Sequence, residues 1–162
     1  MWDACDGAHP IEAALSGCPR LRYISLDRTS WLDDRVLMGL GKHCKQLMAI
    51  HMDVATSVSI HGIAGLLEGC TQLEELVTSR IDVWPPFLFK ALGIWAANLV
   101  RLDVTYWKNE GDAAPPICEE GAAHLARCTN LRKVRLDQRP SEEVEQMLAA
   151  ALPECEFEWR RG

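Results

Sequence analysis

The side chains best suited to chemistry are the seven cysteines, at 5, 18, 44, 70, 118, 128 and 155, and the five histidines, at 9, 43, 51, 61 and 124. Thiolates and imidazoles hold zinc when they come in close pairs, and thiols form disulfides in oxidising compartments. Here the cysteine count is odd, no Cys-x-x-Cys occurs and the spacings are wide, so neither arrangement fits. His51 with Asp53, and His43 beside Cys44, resemble pieces of a hydrolase. A hydrolase also needs a nucleophile presented on a sharp turn beside its base, and no Ser or Cys stands in such an elbow. Gly39-Leu40-Gly41 falls at an expected helix end and not after a strand, which argues against a phosphate loop. The expectation is therefore a non-enzyme with no cofactor and no metal. His51 is left as a binding side chain.

Spacing, not chemistry, is what the cysteines share. Cys18, Cys44 and Cys70 are 26 residues apart; 26 more bring Ala96, and a further 32 bring Cys128. Each opens one phrase: C-P-R-L-R-Y-I-S-L, C-K-Q-L-M-A-I-H-M, C-T-Q-L-E-E-L-V-T, A-A-N-L-V-R-L-D-V and C-T-N-L-R-K-V-R-L. Aliphatic residues hold the fourth, seventh and ninth places, and only Thr78 breaks the last. The phrases predict parallel strands at 21–26, 47–52, 73–78, 99–104 and 131–136, adjacent in chain order. The shared slot predicts that Cys18, Cys44, Cys70 and Cys128 are packed as small apolar side chains.

Between phrases, apolar residues recur three or four apart and predict helices. Leu37 and Leu40 precede Cys44, Ile63 and Leu67 precede Cys70, and Phe89 and Leu92 precede Ala96. Gly17 and Gly69 occupy places where a helix end favours left-handed backbone. Asp33, Asp34, Glu119, Glu120, Glu142 and Glu143 fall early in three of the helices, where carboxylates complement the helix dipole. Trp31, Trp84 and Trp107 follow strands and are expected as core wedges, with an aromatic anchor on the rim of a binding surface as the alternative. Pro85-Pro86 and Pro115-Pro116 are expected as rigid loop punctuation. Six extra residues in the fourth unit are expected within 108–115, as a loop insertion.

A strand and a helix in 26 residues match the period of about 20–29 for leucine-rich repeats. From about residue 7 to 159 the sequence resembles that family, in particular its cysteine-containing class, known from F-box substrate receptors of ubiquitin ligases. The resemblance implies an α/β fold: a right-handed solenoid with parallel strands on the concave face and helices on the convex face. Its parts are an N-terminal half repeat (1–17), five repeats (18–43, 44–69, 70–95, 96–127 and 128–151) and a C-terminal cap (152–162). The family's usual turn Asn or Cys is replaced by Thr29, Ala55, Ile81, Trp107 and Arg139.

Strand alternation then assigns the concave face. It carries Tyr23, Ser25, Asp27, Ala49, His51, Asp53, Glu75, Val77 and Ser79, followed by Arg101, Asp103, Thr105, Lys133, Arg135 and Asp137. Of these, Tyr23, Asp27, His51, Asp53, Glu75, Arg101, Asp103, Lys133 and Arg135 are the candidate protein-binding residues. The pattern is acidic at the first strands and basic at the last, which predicts an acidic patch on the partner at that end. The first strand has no predecessor in the sequence, so its edge, with Trp2 nearby, is a second candidate docking site.

The 162 residues carry a net charge of −6, which argues against a nucleic-acid partner. No apolar run reaches the ~20 residues of a membrane-spanning helix. The N-terminus lacks the charge pattern of a signal peptide. An intracellular protein, in the cytoplasm or in an organelle after loss of a targeting segment, is expected. It would be a recognition or accessory part of a larger assembly, a substrate-receptor fragment of a ubiquitin ligase, or a structural subunit of a large and even organellar complex.

Overall fold

The computed structural model describes residues 14–27, 31–53, 55–81, 83, 85–106 and 116–159. Six strands, β1 (Tyr23–Leu26), β2 (Ala49–Met52), β3 (Glu75–Ile81), β4 (Arg101–Tyr106), β5 (Lys133–Leu136) and β6 (Glu156–Trp159), form one parallel sheet in chain order. Helices α1 (Asp34–His43), α2 (Ile60–Gly69), α3 (Pro85–Trp95), α4 (Glu119–Leu125) and α5 (Glu142–Ala151) alternate with them. The fold is a right-handed leucine-rich-repeat solenoid, with strands on the concave face and helices on the convex face. The expected helix at 7–17 is described only at its end, where residues 14–16 are helical. Trp2, Thr29, Trp84, Trp107, Pro115 and the 108–115 insertion lie outside the described residues.

Each strand begins two residues later than the phrases predict. The first aliphatic of the phrase closes a turn instead: Leu47 N–H donates to Cys44 O at 3.1 Å, Leu73 to Cys70 at 3.1 Å and Leu131 to Cys128 at 3.0 Å. The ladder then opens with a fork, Met48 and Ala49 N–H both donating to Arg22 O at 2.8 and 3.0 Å, and this is repeated at β3, β4 and β5. These leucines are fully buried beneath the turn.

The cysteine slot does more than fill space. Cys70 Sγ donates to Leu40 O at 3.6 Å and to Cys44 O at 3.5 Å, and Cys128 Sγ to Leu92 O at 3.5 Å. Cys44 Sγ reaches Leu15 O at 3.9 Å. Each thiol thus ties its unit to the last helical turn of the unit before it, through weak sulfur hydrogen bonds. Cys18 is an exception to the expected burial: it is exposed, because no described residue lies where the preceding unit would cover it.

Other positions also differ from expectation. Trp31 is 45 % exposed and is no core wedge; the neighbouring Leu32 takes the inward position at that turn. Pro85-Pro86 is not a loop but the first turn of α3, where proline has no helical hydrogen bond to lose and its φ is already helical. Gly17 and Gly69 have no left-handed backbone. Gly69 instead permits close helix packing, since a methyl there would overlap the backbone of Gly41 on α1. The turn slots hold buried apolar residues at Ala55 and Ile81, and at Arg139 an exposed guanidinium paired with Glu145 at 2.9 Å.

Helix starts follow the expected acid pattern. Asp33 caps α1, accepting from Arg35 and Val36 N–H at 3.0 and 3.2 Å, while Ser141 caps α5 through Val144 N–H. Asp34 reaches across to the next unit and accepts from Ser59 N–H at 2.7 Å, next to the start of α2.

Candidate functional site: the concave sheet

In-register parallel pairing stacks the alternating strand positions into rows that cross the sheet. One row runs Tyr23, Ala49, Glu75, Arg101, Lys133, Glu156; the next runs Ser25, His51, Val77, Asp103, Arg135, Glu158. Neighbours in a row are about 4.8 Å apart, near enough for long side chains to meet.

They do meet, in one continuous chain. Tyr23 Oη lies 3.2 Å from His51 Nδ1, and the two rings meet edge to face with centroids 5.1 Å apart. His51 Nε2 is 3.0 Å from Glu75 Oε1, which also accepts from Arg101 Nη1 at 2.7 Å. Arg101 lies 3.9 Å from Asp103, and Arg135 donates to Asp103 Oδ2 at 3.2 Å. Glu158 closes the far end, accepting from Arg135 Nε and Lys133 Nζ at 2.6 Å each. Those two hydrogen bonds hold the Glu158 carboxyl below the usual carboxylate range. The Arg135 guanidinium is raised in return, by its bond to Glu158 and by the charge of Asp103.

The nine candidate residues therefore share one face, and Tyr23, His51, Glu75, Arg101, Asp103, Lys133 and Arg135 form one network. Asp27 and Asp53 stand apart at the C-terminal ends of β1 and β2. Asp27 accepts from Ser25 Oγ at 2.5 Å and Asp53 from Ser79 Oγ. Asp103 is only 4 % exposed, because the two arginines lie over it. Asp137, expected to point outward, is 5 % exposed.

Glu156 and Glu158 were missed as members of the face. Their signal was the phase of 155–159, which places them in the same rows as Lys133 and Arg135. Their presence closes the basic end, so the expected charge division between the two ends is lost. Replacing Arg135 by Glu would remove a 3.2 Å partner of the buried Asp103 carboxylate and set a like charge beside it, so that variant cannot test binding without disturbing the sheet.

A groove of ≈ 560 Å³ lies along the rim before the strands, lined by Met48, Gln72, Glu74, Asn98, Val100, Asn130 and Arg132. Asn98 and Asn130 use their amide N–H groups to hold Thr71 O and Ala97 O, each at 2.9 Å, which braces adjacent units. The third phrase position, amide-bearing in four of five phrases, was the legible signal for this brace.

Among the described residues no group of three or more His, Cys, Asp or Glu is arranged to hold a metal ion. No helix among them is long and apolar enough to cross a membrane. No family model matches the sequence. Among solved structures the chain is similar to the tropomodulin C-terminal domain of Caenorhabditis elegans. The identity is 13 % and the TM-score 0.62, over 90 % of this chain and 93 % of that one. The likeness is one of fold.

Proposed function

We propose that this chain is a non-enzymatic protein–protein interaction module, with the concave sheet as its docking face. It would serve as a recognition or accessory part of a larger intracellular assembly. The observation that carries this reading is the lateral network from Tyr23 to Glu158, which orders long side chains before a partner arrives and so lowers the entropic cost of docking. The likeness to the tropomodulin domain agrees with a solenoid that presents a surface. In this reading the five units from 18 to 151 build the face, with a half repeat (1–17) before them and a cap (152–162) after them. The edge of β1 is a second docking element.

Affinity capture on the immobilised chain tests the proposal. The same bait carrying Tyr23→Ala and His51→Ala should lose the captured partner by about tenfold, as expected for removal of an aromatic anchor. A partner held equally by both baits would place the site elsewhere. The row of buried cysteines supports a second reading, a substrate receptor of a ubiquitin ligase; an F-box protein among the captured partners would select it. Co-migration with a large complex on a sizing column would mark a structural subunit.

A further inference from the structure

The concave sheet is not electrostatically balanced, and the imbalance lies at one end. In the network every cation of the strand rows is engaged: Arg101 with Glu75 and Asp103, Arg135 with Asp103 and Glu158, Lys133 with Glu156 and Glu158. Four carboxylates thus meet three cations, with none left over to serve the remaining acids of the face.

Those acids are Asp27 and Asp53, neighbours across β1 and β2, since Leu26 and Met52 pair in register just before them. Each accepts a hydrogen bond from a serine hydroxyl, Ser25 Oγ and Ser79 Oγ respectively. A hydroxyl orients a carboxylate without neutralising it. Among the described residues no cation pairs with either. Tyr23 stands on the same strand, four residues before Asp27 and so about 13 Å away at ~3.3 Å per residue. Its ring is 52 % exposed but fixed by His51, and the next residue in its row is the small Ala49. An aromatic face held upright on a sheet accepts the stem and charge of a lysine or arginine. Two oriented carboxylates just past the ends of β1 and β2, with no cationic partner among the described residues, accept a second cation.

From this we propose that the partner is a lysine- or arginine-bearing extended segment that lies along β1 and β2, with basic side chains at Tyr23 and at the Asp27–Asp53 pair. The inference rests on the concave-face reading and reverses the sequence-based expectation of an acidic partner. The overall charge of −6 favours the approach of such a segment.

The test uses the full chain, amide-resolved NMR at low salt, and two nonapeptides of alternating lysine–serine and glutamate–serine. The lysine peptide should shift amides of residues 23–27 and 49–53. Asp27→Asn with Asp53→Asn should weaken its binding about tenfold, while Glu119→Gln with Glu120→Gln, an equal charge change on the helical side, should leave it within about twofold. No shift on the sheet, or equal weakening by both variants, overturns the proposal. If only the glutamate peptide engages the sheet, the basic partner fails and the concave face survives. Shifts confined to the helical side with either peptide overturn both.

Discussion

Thr78 is the one phrase residue that departs from the aliphatic pattern, and the structure shows the consequence. Its side chain is 1 % exposed, and among the described residues the hydroxyl oxygen has no hydrogen-bond partner. A buried hydroxyl left unpaired costs about 1–3 kcal/mol, and valine has nearly the same shape. Thr78→Val should therefore raise the thermal midpoint by about 2–4 °C, read by circular dichroism; a fall would mean that the hydroxyl is satisfied in solution. The thiols divide as sharply. Burial pushes the Cys70 thiol up to about 12 and Cys128 to about 11, from an ordinary value near 9. Cys18 and Cys118 are exposed. A thiol reagent should modify the exposed pair at once, and Cys44, Cys70 and Cys128 only on unfolding. The sign of the pH dependence follows. The folded state keeps these protons after the unfolded state has released them, so stability should be constant below pH ~9 and fall as pH rises toward the folded values. Denaturant midpoints measured from pH 7 to 10.5 would show that decline, and a flat profile would contradict the buried assignment.

Helix packing depends on where a methyl would point. Gly41, Gly65 and Gly69 lie at the contact of α1 with α2, but they are not equivalent. A methyl on Gly69 would overlap Gly41 backbone, which cannot yield without separating the helices. A methyl on Gly65 would come within 2.8 Å of Met38 Cγ, part of a flexible and half-exposed side chain that can swing away. Gly69→Ala should cost about 1–3 kcal/mol by overpacking. Gly65→Ala should be neutral or gain up to about 1 kcal/mol, because alanine restricts the unfolded chain and suits a helix interior. Equal loss in urea titrations of the two variants would show that the helices approach differently. Strand β3 has its own device, a register shift between Thr78 and Ile81 with Arg80 at φ 54°. A residue with a Cβ is strained there, and the sequence carries no glycine to announce the bulge.

Across the whole molecule, the sheet has two terminal strands of unlike character. β6 packs Phe157 and Trp159 in a stack with centroids 5.7 Å apart, and its carboxylates finish the polar network. At β1 no described strand pairs with the outer edge. If that edge docks a partner strand, amides of 23–26 should exchange fast in the isolated chain and slow sharply in the complex captured by affinity; equal protection in both states would end the idea. The period of 26 and the aliphatic phrase determined, from sequence alone, the order of five of the six described strands; β6 lies in the segment expected only as a cap. They also determined the parallel topology and the two rows of side chains from β1 to β5, but not Glu156 and Glu158 or the burial of Asp137. This was legible because a repeated core slot leaves a repeated letter. Strand beginnings were misplaced, because the same buried leucine fits a turn or a strand. Trp31 and Cys18 were misjudged for a related reason: residue type records a preference for burial, whereas burial itself depends on what lies opposite. Tertiary structure alone decided the pairing of charges, since Glu75 with Arg101, Asp103 with Arg135 and Glu158 with both Lys133 and Arg135 meet only when strands about 25 residues apart in sequence come to lie 4.8 Å apart in space.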